Sequence, residues 1–200
     1  MNELHLALHG LALKKHATPG AIAGIVGLSA ARAADLLTQA VATGRAVAAA
    51  GAYVLSPAGR MILDGHYARI YAATRSDASF VAAYTRFERV NSELKQLITD
   101  WQTLDVGGQK IRNDHSNKAH DAAVLDRLGD LHERFAPILQ ALGTGVARLG
   151  VYAKKLQYAL EQAEDAKTEW VSDAKLESYH TVWFEMHEDL LRILGRQRVE

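Results

Sequence analysis

The 200-residue chain predicts a mainly α protein in two parts: a helix-turn-helix closed by a short two-stranded β-ribbon, then four or five helices forming a bundle or a dimerisation arm. Three observations predict it. Residues 18–60 carry Thr-Pro-Gly-Ala-Ile-Ala-Gly-Ile-Val-Gly-Leu-Ser, an alanine-rich helical stretch, an apolar ribbon broken at Gly51, and Leu-Ser-Pro-Ala-Gly-Arg. Beyond residue 76, apolar side chains recur at helical spacing in several stretches, the last ending at Leu194. Only three prolines interrupt the chain, which leaves room for long helices. Ser76-Asp77 marks the boundary, giving domains 1–75 and 76–200.

Leu4, Leu8 and Leu11, with Ala7 and Ala12 beside them, place Glu3 to His16 in a first amphipathic helix. Thr18 ahead of Pro19 is a cap with proline at the first helical position, and it opens a second, short helix. Ala23 allows close helix packing, and Gly27 permits the left-handed turn at that helix's end. Leu28 then plugs the core and Ser29 caps the next helix. That third helix runs from Ala30 to about Thr43, with Ala33, Leu36, Leu37, Ala40 and Val41 inward. Arg45 to Ala50 and Ala52 to Leu55 read as two short strands joined at Gly51, with Val47, Tyr53 and Leu55 buried. Ser56-Pro57 repeats the cap-plus-proline signal and opens a fourth helix through Met61, Ile62, His66, Ile70 and Tyr71. The order of these elements is that of a winged helix-turn-helix.

In the second part, Val81, Tyr84, Phe87, Asn91, Leu94, Ile98 and Trp101 trace one stripe along a long helix. Leu104 to Lys118, with Gly107, Gly108 and a polar Asn-Asp-His-Ser-Asn run, reads as a loop ending in a helix start. Helical spacing resumes at Ala122, Leu125, Leu128, Leu131 and Phe135, and Pro137 is expected to kink or split that helix. Further helices cover Val146 to Ala166 and Asp173 to Leu194.

Composition narrows the function classes. The absence of cysteine removes disulfides, zinc-thiolate sites and thiol catalysis, and suits a reducing cytoplasm. The N-terminal residues lack the basic start and apolar core of a signal peptide, and no charge-free apolar run is long enough for a membrane span. Net charge is zero but unevenly spread. Before residue 76, Lys14, Lys15, Arg32, Arg45, Arg60, Arg69 and Arg75 face only Glu3, Asp35 and Asp64, an excess of four positive charges that the remainder balances. A basic head on an acidic body suits a polyanion partner for the head.

Ala23, Gly27, Leu28 and Ser29 at the turn, Leu36 and Val41 in the next helix, and Tyr53-Val54-Leu55-Ser56-Pro57-Ala58-Gly59-Arg60 closing the ribbon resemble the winged-helix domain of MarR-like bacterial transcriptional regulators. The resemblance runs from about Glu3 to Arg69 and leaves residues 76–200 unassigned. It implies binding of double-stranded DNA by a homodimer, with the helix from Ser29 in the major groove. On that reading Ser29, Arg32 and Gln39 face the groove, and Lys14, Lys15, Arg45 and Arg60 hold the backbone. The C-terminal helices would carry the dimer contact and a small-molecule effector site. The residues themselves are lean for this role. Arg32 is the only basic side chain at the helix front, and the ribbon tip Ala49-Ala50-Gly51 is uncharged. Use of the winged domain to dock another protein therefore stays open.

Candidate chemistry beyond DNA binding is sparse. His5 and His9 have the spacing to share a metal, but no third ligand lies near them in sequence, and no metal or cofactor is expected. Asp114-His115, His120-Asp121 and His132-Glu133 form a second titratable cluster, with His180 and His187 on the last helix. Asn91, His120, His180, Trp183 and His187 are candidates to line a pocket between helices. In the competing reading each imidazole sits at the core rim and satisfies a backbone or carboxylate partner. GxGxxG, P-loop, GxSxG and HExxH patterns are all missing, so no enzyme is expected.

Overall fold

The Asn2 side chain accepts the His5 N–H (2.9 Å) and starts helix α1, Glu3–Lys14. Strand β1, His16–Ala17, follows. Thr18 caps helix α2, Pro19–Val26, which ends at Gly27 in the left-handed region (φ 75°). Ser29 accepts the Arg32 N–H (3.1 Å) to cap helix α3, Ala30–Ala42. The axes of α2 and α3 bend by 111° across this short break. Strands β2, Ala46–Ala49, and β3, Ala52–Leu55, come next, and helix α4, Pro57–Ile70, is capped by Ser56. A short helix α5, Ala72–Ser76, closes the segment. The structure, a computed structural model, describes residues 1–197.

The protein is mainly helical with a short β-ribbon, as the sequence predicts, but the ribbon has company. The sheet is three-stranded and antiparallel in the order β1-β3-β2, with His16 opposite Val54 and Val47 also opposite Val54. Two residues borrowed from the α1–α2 link carry too little pattern to be read as a strand. Val47 points outward rather than into the core: it is 51% exposed while Ala46 is buried. Val41 is likewise exposed. The Ser56 hydroxyl donates to the Gly44 carbonyl (2.6 Å) and accepts the Gly59 N–H (3.0 Å), which ties α4 to the start of the ribbon. A Cβ at Gly59 would overlap the Arg45 carbonyl, so glycine is required in Ser-Pro-Ala-Gly-Arg by close approach.

This first compact unit, Met1–Asp77, also includes the described residues from His187 to Gln197. The sequence predicts that all residues after 75 belong to the second domain. The last turns of the final helix pack differently because their polar groups have partners here. His9, fully buried, meets Tyr67 Oη through Nδ1 (2.6 Å) and Asp189 through Nε2 (3.3 Å). Arg75 donates to the carbonyls of Ile193 (2.7 Å) and Arg192 (3.2 Å), satisfying the end of that helix.

The second unit, Ala78–Met186, opens with helix α6, Ala78–Gln102, whose predicted stripe is buried from Tyr84 to Trp101. The expected loop instead contains a hairpin of β4, Thr103–Val106, and β5, Gln109–Arg112. Helix α7, Lys118–Gly145, runs through Pro137 without a break. Pro137 lies on the exposed side, where water can replace the N–H it lacks. A 3₁₀ turn at Ala147–Leu149 precedes α8, Gly150–Glu164, and the short α9, Glu169–Ser172. The last helix, α10, is Tyr179–Leu194, shorter at its start than expected, and its residues to Met186 belong to this unit. The core centres on Phe87, Phe135 and Trp183, whose ring centroids lie 4.4–6.0 Å apart.

Candidate nucleic-acid interface and ligand clefts

Helix α3 buries Ala33, Leu36, Leu37 and Ala40 and leaves Ala30, Ala31, Arg32, Asp35, Thr38 and Gln39 exposed. Of the residues expected at the groove, Ser29 uses its hydroxyl as the helix cap and Gln39 is open to solvent. Arg32 is engaged: its Nε and Nη2 both donate to Glu3 Oε2, at 2.9 and 2.6 Å. Both side chains are about half exposed (46% and 50%), so the pair is worth no more than about 1 kcal/mol. Among the expected backbone-holding cations, Lys15 and Arg60 are exposed, and Lys14 and Arg45 are half-buried. The ribbon offers Val47, Ala48 and Ala49 on an uncharged edge strand, turning at Ala50-Gly51.

Close to this face the imidazoles of His5 and His66 stack, with centroids 3.7 Å apart and planes 11° from parallel. Burial holds the His5 pKa below the ordinary histidine value, helped by His66, Arg45 and Arg69. Burial and then Arg69 lower His66 in the same way. His5 and His9 thus turn to different partners instead of sharing a metal. Among the described residues no group of three or more histidine or carboxylate side chains could hold a metal ion.

A cleft of about 570 Å³ in the first unit is lined by Arg60, Arg75, Arg192 and Arg196 together with Asp64 and Glu188. Arg75 and Arg192 are already bonded to helix-end carbonyls and to Glu188. The pocket residues expected in the second domain are dispersed. Asn91 accepts the Trp183 indole N–H (3.0 Å) inside the core, and His120 Nε2 bonds the Asp100 carbonyl (2.9 Å). His180 is half-buried, and His187 is buried in the part of α10 that belongs to the first unit. None of these five lines either of the two main clefts.

The second cleft, about 700 Å³, lies in the second unit against the β4–β5 hairpin and was not anticipated as a cavity. One wall holds His115, at φ 62°, whose ring packs on Trp101 at 4.7 Å. His115 Nδ1 faces the buried Asp121 carboxylate at 3.2 and 3.3 Å. The Asn113 amide spends its two protons on the Trp101 carbonyl (2.9 Å) and Asp121 Oδ1 (3.0 Å). The same amide nitrogen also lies 3.3 Å from His115 Nδ1, and in the tautomer with its proton on Nδ1 the His115 ring donates to Asp121. The sequence placed both residues in one titratable cluster. It could not show that His115 pairs with Asp121, six positions on, because that depends on how the Asn113–Asn117 segment turns.

Among the described residues no single helix is long and apolar enough to cross a membrane. No protein-family model matches the chain, no curated protein matches it in sequence, and no solved structure matches its fold.

Proposed function

We propose that the chain is a cytoplasmic DNA-binding transcriptional regulator of the winged-helix, MarR-like type, acting as a homodimer. One observation carries this reading: the left-handed Gly27 turn sets α3 at 111° to α2 with its outer face open to solvent. Arg32 is the base-reading candidate, and Ser29 and Gln39 flank it. Lys14, Lys15, Arg45 and Arg60 would contribute phosphate contacts, which supply most of the affinity and all of its salt dependence. The Glu3–Arg32 pair is weak enough for DNA to displace.

A gel-shift against the gene's own upstream region tests the reading. Arg32→Ala should weaken binding by roughly tenfold or more. Glu3→Gln, which releases the guanidinium and removes a negative charge, should tighten it. Affinity should fall steeply as salt rises. Absence of duplex binding at low salt, for both the parent chain and Glu3→Gln, would refute it.

A second reading, an adaptor that docks a protein partner, is favoured by the apolar β2 edge and by a ribbon tip without arginine or lysine. It requires Val47→Lys to abolish partner binding and to leave any DNA binding intact.

A further inference from the structure

We infer that the cleft beside the β4–β5 hairpin is a binding site for a free amino acid, recognised as a zwitterion. Its volume, about 700 Å³, is that of a small-molecule pocket. Its walls carry opposite charges that do not meet. Lys110 and Arg112 stand on β5, and Glu169 and Asp173 stand on and just after α9. Lys110 acts on Asp100 only at longer range, while among the described residues Arg112 and Glu169 have no ion-pair partner within 4 Å and the Asp173 carboxylate accepts only the Lys175 N–H (2.7 Å). Cations and carboxylates that face a common cavity without pairing leave both signs of charge available to an occupant. A simple anion would be repelled by the α9 wall and a simple cation by the hairpin. A molecule with a carboxylate at one end and an ammonium a few ångströms away satisfies both.

The floor adds a polar anchor and an apolar surface. Asp121 and Asn113, both buried, fix the His115 ring against Trp101. With Nδ1 committed to Asp121, the outer nitrogen Nε2 has no protein partner among the described residues. In the neutral ring it is an acceptor suited to an ammonium N–H. Ile111, 46% exposed, supplies apolar surface for the ligand side chain. The α-carboxylate is assigned to Arg112 and Lys110, and the α-ammonium to Glu169, Asp173 and His115 Nε2. Occupancy requires no DNA and stands apart from the regulator reading.

The test screens the common L-amino acids singly, at millimolar concentration, against the full-length protein. It follows the thermal midpoint and the His115 imidazole resonances. At least one amino acid should raise the midpoint and shift His115. Its N-acetyl derivative and its α-amide should each bind at least about tenfold more weakly, since each removes one charge. Arg112→Gln and Glu169→Gln, both at exposed positions, should lose similar affinity with the unliganded midpoint unchanged. The inference is overturned if no amino acid moves either signal. It is equally overturned if the N-acetyl derivative or the α-amide binds as well as the parent compound, or if both variants bind normally.

Discussion

The two β-hairpins of this chain share a turn and differ in almost everything that holds them. β2–β3 turns at Ala50-Gly51 and β4–β5 at Gly107-Gly108, each a two-residue loop with positive φ at both positions. The first hairpin is anchored by burial. Ala46 and Ala52 are buried, β3 gains a second neighbour in β1, and Ser56 and Gly59 clamp the Arg45 end. The second buries almost none of its own residues and is held by polar contacts. Asn113 N–H donates to the Gln102 carbonyl (2.8 Å), Asn113 Nδ2 reaches the Trp101 carbonyl, and Asp105 accepts the Gly108 N–H (2.9 Å). A two-stranded hairpin is marginal alone, so each needs its anchor. One anchor is hydrophobic packing and the other a buried amide.

Removing each anchor tests that contrast. The largest effect is expected from Gly59→Ala, which forces a methyl group into the Arg45 backbone and should destabilise the first unit by about 3 kcal/mol. Urea unfolding would measure it, and a loss near zero would mean the clamp is not needed. Asn113→Ala should cost roughly 1–3 kcal/mol, because Asp121 and the Trp101 carbonyl lose a buried donor. Amide exchange should then quicken in β4–β5 and stay slow in β2–β3, and equal quickening in both would remove the distinction. The smallest effect sharpens the turn comparison. Ala50 adopts φ 49°, so Ala50→Gly should stabilise by roughly 0.5 kcal/mol, and Gly107→Ala should destabilise by about 1 kcal/mol. Thermal midpoints moving in the same direction would contradict the shared turn.

The contrast also explains what was legible from the residues alone. Thr18-Pro19, Gly27-Leu28-Ser29 and Ser56-Pro57 are capping signals with a local mechanism, and each lands where expected. The β2–β3 ribbon was legible from its apolar run, but its inward face was assigned wrongly at Val47 because alanine and valine carry a weak alternation. β4–β5 was missed although Gly107-Gly108 is a turn pair, since Leu104, Val106 and Ile111 are isolated among polar residues and mark no buried face. Pattern reading detects burial, whereas the second hairpin rests on hydrogen bonds. The same limit applies to the clefts. Asn91 and Trp183 were singled out and do meet, but as a core hydrogen bond. The His115–Asp121 pair depends on a three-dimensional turn that the sequence does not encode in any spacing rule.

The stacked imidazoles of His5 and His66 have a consequence for acid tolerance. Both pKa values are lowered in the folded chain, so folding favours the uncharged rings. Their contribution is therefore complete above the unfolded histidine value of about 6.5 and is withdrawn as the medium acidifies below it. The first unit should lose urea resistance as the pH falls below about 6.5, and His66→Phe, which keeps an aromatic neighbour but cannot take up a proton, should flatten that decline. An unchanged slope would assign the acid response to other groups. Near neutral pH the crowded rings remain silent, and acid would loosen the unit that presents the α3 face.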